Sequence, residues 1–272
     1  MPPLRDHMDL VYQGIATRGQ ILVALDFDGT LSDIVARPED AFITEERREL
    51  LRELNSRPRF AVAVISGRRV DDLRERVGLS DIAYAGHHGL EIAGPGFQHV
   101  PPEAEAFRDT AARLGEALEA LIGGIPGVIF EHNGLSLSVH YRLVAGEQRE
   151  PVQRAIREVV NPVASAGQAR IIPGKEVVNL LPPLVWHKGS ALRWLIELLD
   201  SIPHRVGGIF PIYIGDDVTD EDAFPVARET GIAARVGPPA EDTAAEYTLA
   251  DTAEVEATMR AMVDYSKSLG IG

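Results

Sequence analysis

Two aspartates stand two positions apart at the end of an apolar run. Residues 21–25 are typical of a short buried strand, and Asp26 and Asp28 follow it before Gly29. Because aspartate is rare in strands and seldom buried unpaired, both carboxylates are expected at the carboxyl end of the strand. Ligands of open parallel sheets bind at that edge. The alternative is a strand followed by an ordinary Asp-Gly turn, and the pair alone does not decide between them.

More polar groups follow other predicted strands of the chain. Ser66 comes after residues 60–65, Asp216 comes after residues 208–214, and Lys188 begins a predicted helix. Parallel strands end at one edge, so these groups can converge with the aspartate pair. Three carboxylates without histidine or cysteine favour a hard cation, usually Mg²⁺ where phosphate is bound. Lys188 would bind phosphate by charge and Ser66 by hydrogen bonding, helped by nearby helix N-termini.

Such a group of residues suits hydrolysis of a phosphate monoester, which is among the slowest uncatalysed reactions. An aspartate nucleophile divides the reaction into formation and breakdown of an aspartyl phosphate. The cation and the lysine would offset the repulsion between nucleophile and phosphate. A second carboxyl group must protonate the leaving oxygen, which requires a pKa above the ordinary value of about 3.9. We therefore predict Asp26 as the nucleophile and Asp28 as the acid/base.

The order of predicted elements indicates an α/β core with an insertion. Strands and helices alternate in residues 1–99 and again in residues 184–272, which is typical of a doubly wound parallel sheet with right-handed crossovers. In residues 100–183 helical patterns, including one over residues 151–160, alternate with two hairpins. Glycine and proline clusters mark the boundary near residue 100. We therefore predict a doubly wound core, residues 1–99 plus 184–272, and an inserted α+β domain, residues 100–183.

Composition excludes several classes of site and partner. The chain has 272 residues, 45% of them hydrophobic, which suffices for a sizeable core. It has no cysteine, so disulfides, thiolate metal sites and cysteine nucleophiles are excluded, and a reducing compartment fits. The net charge of −14 argues against nucleic acid as a partner. Without a run of roughly 20 apolar residues or an apolar signal core, we expect no membrane partner and a cytoplasmic protein. We also expect a monomer.

Four motifs, taken in order, resemble the signature of the haloacid dehalogenase superfamily. They are DFDGTL at 26–31, SGR at 66–68, Lys188 and GDDVTD at 215–220. The chain is more narrowly similar to trehalose-6-phosphate phosphatases, from residue 20 to about 250, through GHHGLE at 86–91, HYR at 140–142 and WHKGSAL at 186–192. The resemblance implies a Rossmann-like core with an inserted α+β cap domain. It also implies Mg²⁺-dependent release of trehalose and phosphate from trehalose 6-phosphate.

The resemblance also implies roles for individual residues. Asp26 would be the nucleophile and a metal ligand, Asp28 the acid/base with its backbone carbonyl on the metal, and Asp216 a further ligand. Ser66 and Lys188 would hold the phosphoryl group. The remaining candidates are Asp217 and Asp220 in support of the metal site, and Gly67, Arg68, His88, Glu91, Arg142 and Lys175 around the phosphate or the sugar.

Some of these assignments have alternatives. Arg68 suits a structural salt bridge as well as a phosphate ligand, and Arg142 and Lys175 lie on predicted exposed hairpins. Asn179 and His187 stand where the family usually carries an acid. The alternative substrate is therefore another sugar phosphate, of the sucrose- or glucosylglycerol-phosphate type. The other candidates are a phosphomutase, a non-catalytic phosphosugar sensor and a receiver-like phospho-acceptor.

Overall fold

The computed structural model of the protein describes residues 1–35, 37–174, 176–202, 207–238 and 240–270. Its internal contacts divide the chain into two compact units. The first unit combines Met1–His99 with Trp186–Gly272, and the second unit is Val100–Val185. Each unit has its own sheet, which among the described residues has eight strands in the first unit and four in the second.

The strands and helices of the described residues are numbered in chain order. The strands are β1 (Gln20–Leu25), β2 (Phe60–Ile65), β3 (Ala83–Gly86), β4 (Glu91–Gly94), β5 (Phe97–His99), β6 (Ile129–His132), β7 (Leu137–His140), β8 (Arg170–Gly174), β9 (Val177–Leu181), β10 (Ile209–Gly215), β11 (Ile232–Val236) and β12 (Tyr247–Leu249). The helices are α1 (Met8–Thr17), α2 (Glu45–Asn55), α3 (Val70–Val77), α4 (Pro102–Ile122), α5 (Gly146–Ser165), α6 (Lys188–Asp200), α7 (Phe224–Arg228) and α8 (Thr252–Ser268). None of the helices in the described part of the chain combines the length and apolarity needed to cross a membrane.

The first unit is built on a mixed sheet with β1 near its centre. The strand order is β12-β11-β10-β1-β2-β3-β4-β5, and pairing is parallel from β12 to β3 and antiparallel from β3 to β5. All six residues of β1 are buried: Ile21, Val23 and Leu25 face one apolar cluster, while Leu22 and Ala24 face another. A strand covered on both faces needs a continuous apolar run. The predicted α/β fold is confirmed, and Asp26 comes directly after this central strand.

Two helix starts in the first unit show local capping. Helix α2 begins after Thr44, whose hydroxyl oxygen accepts a hydrogen bond from the backbone N–H of Arg47 at 3.2 Å. Helix α6 begins after His187, whose Nδ1 accepts one from the backbone N–H of Ser190 at 3.2 Å. Such caps satisfy N–H groups that have no partner inside the helix. The cap at His187 therefore makes Lys188 the first residue of α6.

The second unit is a four-stranded antiparallel sheet covered by two helices. The strand order is β6-β7-β9-β8, and α4 and α5 pack on one face around residues such as Leu118, Val139 and Leu180. On the opposite face the Ser138 hydroxyl donates to Asn179 Oδ1 at 2.8 Å. Apolar and polar residues alternate along β7, and Ser138 on the polar side is itself buried.

Candidate active site

Polar groups from four elements of the first unit line one cavity. Asp26 follows β1, Ser66 follows β2, Asp216 follows β10, and Lys188 begins α6. The cavity has a volume of about 640 Å³. The structure therefore brings together the strand-end groups that the sequence placed at a single edge. The cavity is also lined by Asp28, Ile34, Val35, Gly67, Arg68, His88, Asp217 and Thr219.

Lys188 lies between two buried carboxylates. Its Nζ donates to Asp26 Oδ1 and to Asp220 Oδ1, both at 2.8 Å. Asp220 also accepts from the Tyr213 hydroxyl on Oδ1 at 2.6 Å and from the backbone N–H of Asp217 on Oδ2 at 2.9 Å. Three donors thus hold the two oxygens of Asp220, which anchors the ammonium group of Lys188 beside Asp26.

Burial and the charges of neighbouring groups set the pKa values of this group. It raises the pKa of Asp26 well above the usual range, although the charge of Lys188 opposes the shift. Burial also raises the pKa of Asp216, and the neighbouring charge of Asp220 adds to the effect. Burial alone would lower the pKa of Lys188, but the carboxylates of Asp26 and Asp220 outweigh it and raise the pKa. One ammonium group serves several carboxylates, so further positive charge would stabilise their ionised forms.

The oxygen atoms of this group fit a hard cation. One carboxylate oxygen from each of Asp26, Asp216 and Asp220 lies within 4.8 Å of the others. The Asp216 carboxylate lies against Gly29, where a Cβ atom would stand 2.1 Å from Oδ2. All these donors are oxygen, the ligand type that hard divalent cations prefer. Because Asp220 is already held by three donors, Asp26 and Asp216 are the better candidates for direct ligands.

Asp28 lines the same cavity but does not belong to this buried group. Its side chain is 46% exposed, and the Arg68 guanidinium donates to both of its oxygens, each at 2.7 Å. Arg68 also donates to Asp72 at 3.0 Å, and Asp72 accepts from Arg76 at 2.7 Å. Of the two interpretations of Arg68 from the sequence, the structure contains the salt bridge, and its partner is the predicted acid/base.

Ser66 and Gly67 form the turn after β2. Ser66 is buried, and its Oγ accepts a hydrogen bond from the backbone N–H of Arg68 at 3.3 Å. Gly67 lies under the ring of His88, where a Cβ atom would stand 2.7 Å from the ring carbon Cε1. Only glycine leaves that space for the ring, so Gly67 has a packing reason as well as its place in the cavity lining.

The segment after β3 directs His88 into the cavity. His87 and His88 have φ values of 52° and 56°, and Gly89 follows with φ of 100°. Non-glycine residues adopt this left-handed region at a cost, and such residues cluster at functional sites. Burial lowers the pKa of His88, and the charge of Lys188 lowers it further. The ring is therefore favoured in its neutral form, in which it can both donate and accept a hydrogen bond.

Two further residues predicted from the sequence, Glu91 and Arg142, do not line this cavity. Glu91 begins β4 in the first unit. Arg142 belongs to the second unit, where its Nε is 3.7 Å from a carboxylate oxygen of Glu176. Lys175 lies outside the described residues. Their assignment to the sugar therefore stays a prediction.

Comparison with known proteins identifies the family. The family model described as trehalose-phosphatase matches residues 24–253, which include the whole second unit, most of the first unit and all the strand-end groups. The chain belongs to the trehalose-phosphatase family. The resemblance inferred from the motifs is thus confirmed over most of the chain.

Individual members of the family match at moderate identity. Trehalose-phosphate phosphatase B of Arabidopsis thaliana is 36% identical over 260 residues, covering 91% of this chain and 67% of the relative. The trehalose-phosphate phosphatase of Mycobacterium tuberculosis is 39% identical over 221 residues, covering 80% of this chain and 54% of the relative. The structure of Aspergillus fumigatus trehalose-6-phosphate phosphatase superimposes with a TM-score of 0.70 at 26% identity, covering 97% and 99% of the two chains. The match therefore spans nearly all of the fungal structure and about half the length of the mycobacterial relative.

Sequence reasoning missed Tyr213, whose hydroxyl binds Asp220. The residue lies inside the apolar run of β10, so the run predicted only a buried strand. A signal was nevertheless present, because a buried tyrosine hydroxyl normally finds a hydrogen-bond partner. A tyrosine two residues before the strand-end glycine therefore pointed to a polar group close to the end of β10.

Proposed function

We propose that this member of the trehalose-phosphatase family is a Mg²⁺-dependent phosphatase that hydrolyses trehalose 6-phosphate to trehalose and phosphate. The observation that carries the proposal is the buried pair of Asp26 and Lys188 in one cavity with Ser66 and Asp216. The substrate is the one after which the plant, mycobacterial and fungal relatives are named. The alternative within the same chemistry is another sugar phosphate.

The proposed reaction has two steps at Asp26. Its carboxylate attacks phosphorus, the bond from phosphorus to the sugar oxygen breaks, and Asp28 gives that oxygen a proton. Asp28 then takes a proton from water, which attacks the aspartyl phosphate and releases phosphate. Lys188 and Ser66 hold the phosphoryl oxygens during both steps. Mg²⁺, bound by Asp26 and Asp216 with the backbone carbonyl of Asp28, would neutralise charge on the phosphoryl group.

The salt bridge of Asp28 adds a requirement to this mechanism. Both oxygens of Asp28 accept hydrogen bonds from Arg68, so neither is directed to a leaving group in this conformation. A carboxyl oxygen that carries a proton is a weaker acceptor, so the guanidinium fork of Arg68 favours the ionised form of Asp28. The bonds from Arg68 must therefore weaken when Asp28 takes up the proton that it gives to the sugar oxygen.

We also propose that the second unit is the cap domain that reads the sugar. The face of its sheet opposite α4 and α5 carries hydroxyl and amide groups, represented by the bonded pair Ser138 and Asn179. Such groups are suited to sugar hydroxyls, whereas the phosphate would be held by the first unit. We assign Arg142 and Lys175, with Glu91 of the first unit, to sugar contacts. A monomeric, cytoplasmic protein stays a prediction from the sequence.

A substrate panel with two variants tests the proposal. Free phosphate is measured with Mg²⁺ on trehalose 6-phosphate, sucrose 6-phosphate, glucosylglycerol phosphate and glucose 6-phosphate. We expect the highest kcat/KM on trehalose 6-phosphate, loss of turnover in Asp26→Asn, and a loss of about 10²- to 10⁴-fold in Asp28→Asn. Asp71→Asn is the control, because Asp71 is an aspartate of the same unit whose side chain is 82% exposed.

Each possible result decides between named alternatives. A higher kcat/KM on another sugar phosphate would exclude the proposed substrate and keep the chemistry. Transfer of the phosphoryl group to another sugar position without free phosphate would indicate a mutase. Turnover by Asp26→Asn equal to that of Asp71→Asn would refute the assignment of the nucleophile.

A further inference from the structure

Tyr213 is a fully buried residue in the middle of β10. Its register neighbours are Ala24 in β1 and Ala233 in β11, so two small side chains flank its ring on the same face of the sheet. The ring packs edge-on against Phe224, with centroids 5.8 Å apart and planes at 72°. The alanines leave the space that the ring fills, and the fit fixes the direction of the hydroxyl group along the sheet.

The hydroxyl of Tyr213 belongs to a continuous set of hydrogen bonds that reaches the nucleophile. It donates to Asp220 Oδ1 at 2.6 Å, and Lys188 donates to the same oxygen at 2.8 Å. The Lys188 ammonium donates in turn to Asp26 Oδ1 at 2.8 Å. Asp220 has no exposed surface and Tyr213 has none. Hydrogen bonds thus connect the hydroxyl of Tyr213, through Asp220 and Lys188, to the attacking carboxylate.

Loss of the hydroxyl would change the position of Lys188. Oδ1 of Asp220 would keep one donor instead of two, and water cannot replace the lost donor in a fully buried position. Asp220 would then turn towards its remaining donors, which are Lys188 and the backbone N–H of Asp217. This movement of Asp220 alters the distance and direction between the Lys188 ammonium group and Asp26. Shifts of this size matter in phosphoryl transfer, since catalysis depends on positioning.

We propose that Tyr213 is a positioning residue for phosphoryl transfer, which acts through Asp220 to fix the Lys188 ammonium against Asp26. The inference deepens the proposed function and rests on it. Tyr213 touches neither substrate nor cation in this assignment. Its contribution is to the geometry of Lys188 at the moment of attack and not to the affinity for the sugar.

Tyr213→Phe tests the inference, and Tyr84→Phe is its matched control. Tyr84 is also buried, and its hydroxyl also donates one hydrogen bond of 2.6 Å, but to the backbone oxygen of Leu79. Each variant therefore loses one buried hydroxyl and one hydrogen bond, and we expect similar losses of thermal stability. With trehalose 6-phosphate and saturating Mg²⁺, we expect kcat of Tyr213→Phe to fall about ten- to hundredfold with KM changed less than about threefold. Tyr84→Phe should stay within about twofold of the wild type in both.

A double mutant separates positioning through Asp220 from a general structural role. In an Asp220→Asn background the adjacent Lys188 has already lost its charged anchor, so adding Tyr213→Phe should change kcat by less than about twofold. The inference would be overturned if the factors by which the two substitutions lower kcat multiply in the double mutant. Equal kcat values for Tyr213→Phe and Tyr84→Phe would also overturn it. Should Tyr213→Phe be insoluble, 4-aminophenylalanine at position 213 keeps the shape with a weaker donor. It should lower kcat at constant KM, and an unchanged kcat would also overturn the inference.

The wild type separates this inference from the function on which it rests. Absence of phosphate release from every sugar phosphate by the wild type would refute the proposed function. Wild-type turnover on any of them allows the comparison of Tyr213→Phe with Tyr84→Phe to be made on that substrate. Equal rates of those variants would then refute the role of Tyr213 alone.

Discussion

Gly29→Ala should displace a proposed metal ligand by a contact that can be measured on the structure. Gly29 has φ of +80°, and an alanine Cβ there would stand 2.1 Å from Asp216 Oδ2 and 2.8 Å from Oδ1. Real Cβ atoms almost never approach another heavy atom closer than 3.0 Å, so the carboxylate must move by about 0.9 Å or rotate. Its hydrogen bond from the Thr30 hydroxyl, at 3.5 Å, is too long to hold it in place.

The expected effect has two parts of different origin. Alanine at positive φ costs about 1–2 kcal/mol of stability wherever it is placed. Displacement of a catalytic group by about 1 Å costs about 10²-fold in rate, which is about 2.7 kcal/mol of transition-state stabilisation. Gly96→Ala isolates the first part, because Gly96 has φ of +79° and a Cβ there would meet nothing within 4 Å.

The assay combines turnover with a binding measurement. Both variants should lose similar stability in urea unfolding. Only Gly29→Ala should lose about 10²-fold in kcat/KM and require more Mg²⁺ for the same rise of the unfolding temperature. If Gly29→Ala matches Gly96→Ala in turnover and in response to Mg²⁺, Asp216 does not act as a ligand in the conformation described here.

Three further outcomes follow from other parts of the chain. Chelation with EDTA should abolish phosphate release, and excess Mg²⁺ should restore it. Asp216→Asn should lose the Mg²⁺-induced rise of the unfolding temperature, and a rise equal to that of the wild type would exclude Asp216 as a ligand. Burial would raise the pKa of Asp72, but hydrogen bonds from Arg76 and Arg68 lower this pKa below the ordinary value of 3.8. The ionised Asp72 therefore stabilises the folded protein above pH 3.8, and this stabilisation is lost as the pH falls through the lowered pKa. The unfolding temperature of the wild type should therefore fall more than that of Asp72→Asn between about pH 5 and pH 3, and parallel curves would contradict the salt-bridge assignment. Thr44→Ala should reduce the free energy of unfolding by about 1 kcal/mol in urea titration and leave kcat unchanged, whereas no loss would show that the α2 cap contributes nothing.

The centre of the candidate site could be predicted because its residues follow from backbone topology. Asp26, Ser66 and Asp216 each come directly after a buried parallel strand, and such strands end at a common edge. The partner of Arg68 could not be predicted, since a guanidinium on a loop reaches several acids and only packing selects Asp28. Tyr213 was missed for a related reason: its partner is set by side-chain direction and not by chain order.

The fold was predictable where the hydrophobic period was clear. The alternation of strands and helices in the first unit gave the α/β class, whereas β5 falls in a segment of glycines and prolines that indicated only a boundary. The helix predicted over residues 151–160 extends in the structure over Gly146–Ser165. Pro151 favoured a start at that residue, because proline is preferred in the first turn of a helix. Packing of Val152, Ile156 and Val160 in the second unit outweighs the hydrogen bonds that its prolines remove.

The charge balance of the buried group links cation binding to the ionisation of the nucleophile. Asp26 and Asp220 share the single ammonium of Lys188, and Asp216 lies close to both. Burial raises the pKa values of Asp26 and Asp216, so these carboxyl groups keep their protons to a higher pH than exposed aspartates do when no cation is bound. A dication bound there would displace those protons and stabilise the nucleophile in its ionised form. Binding of Mg²⁺ should therefore release protons and weaken as the pH falls, which is the behaviour of a site where the cation completes the ionisation of the nucleophile.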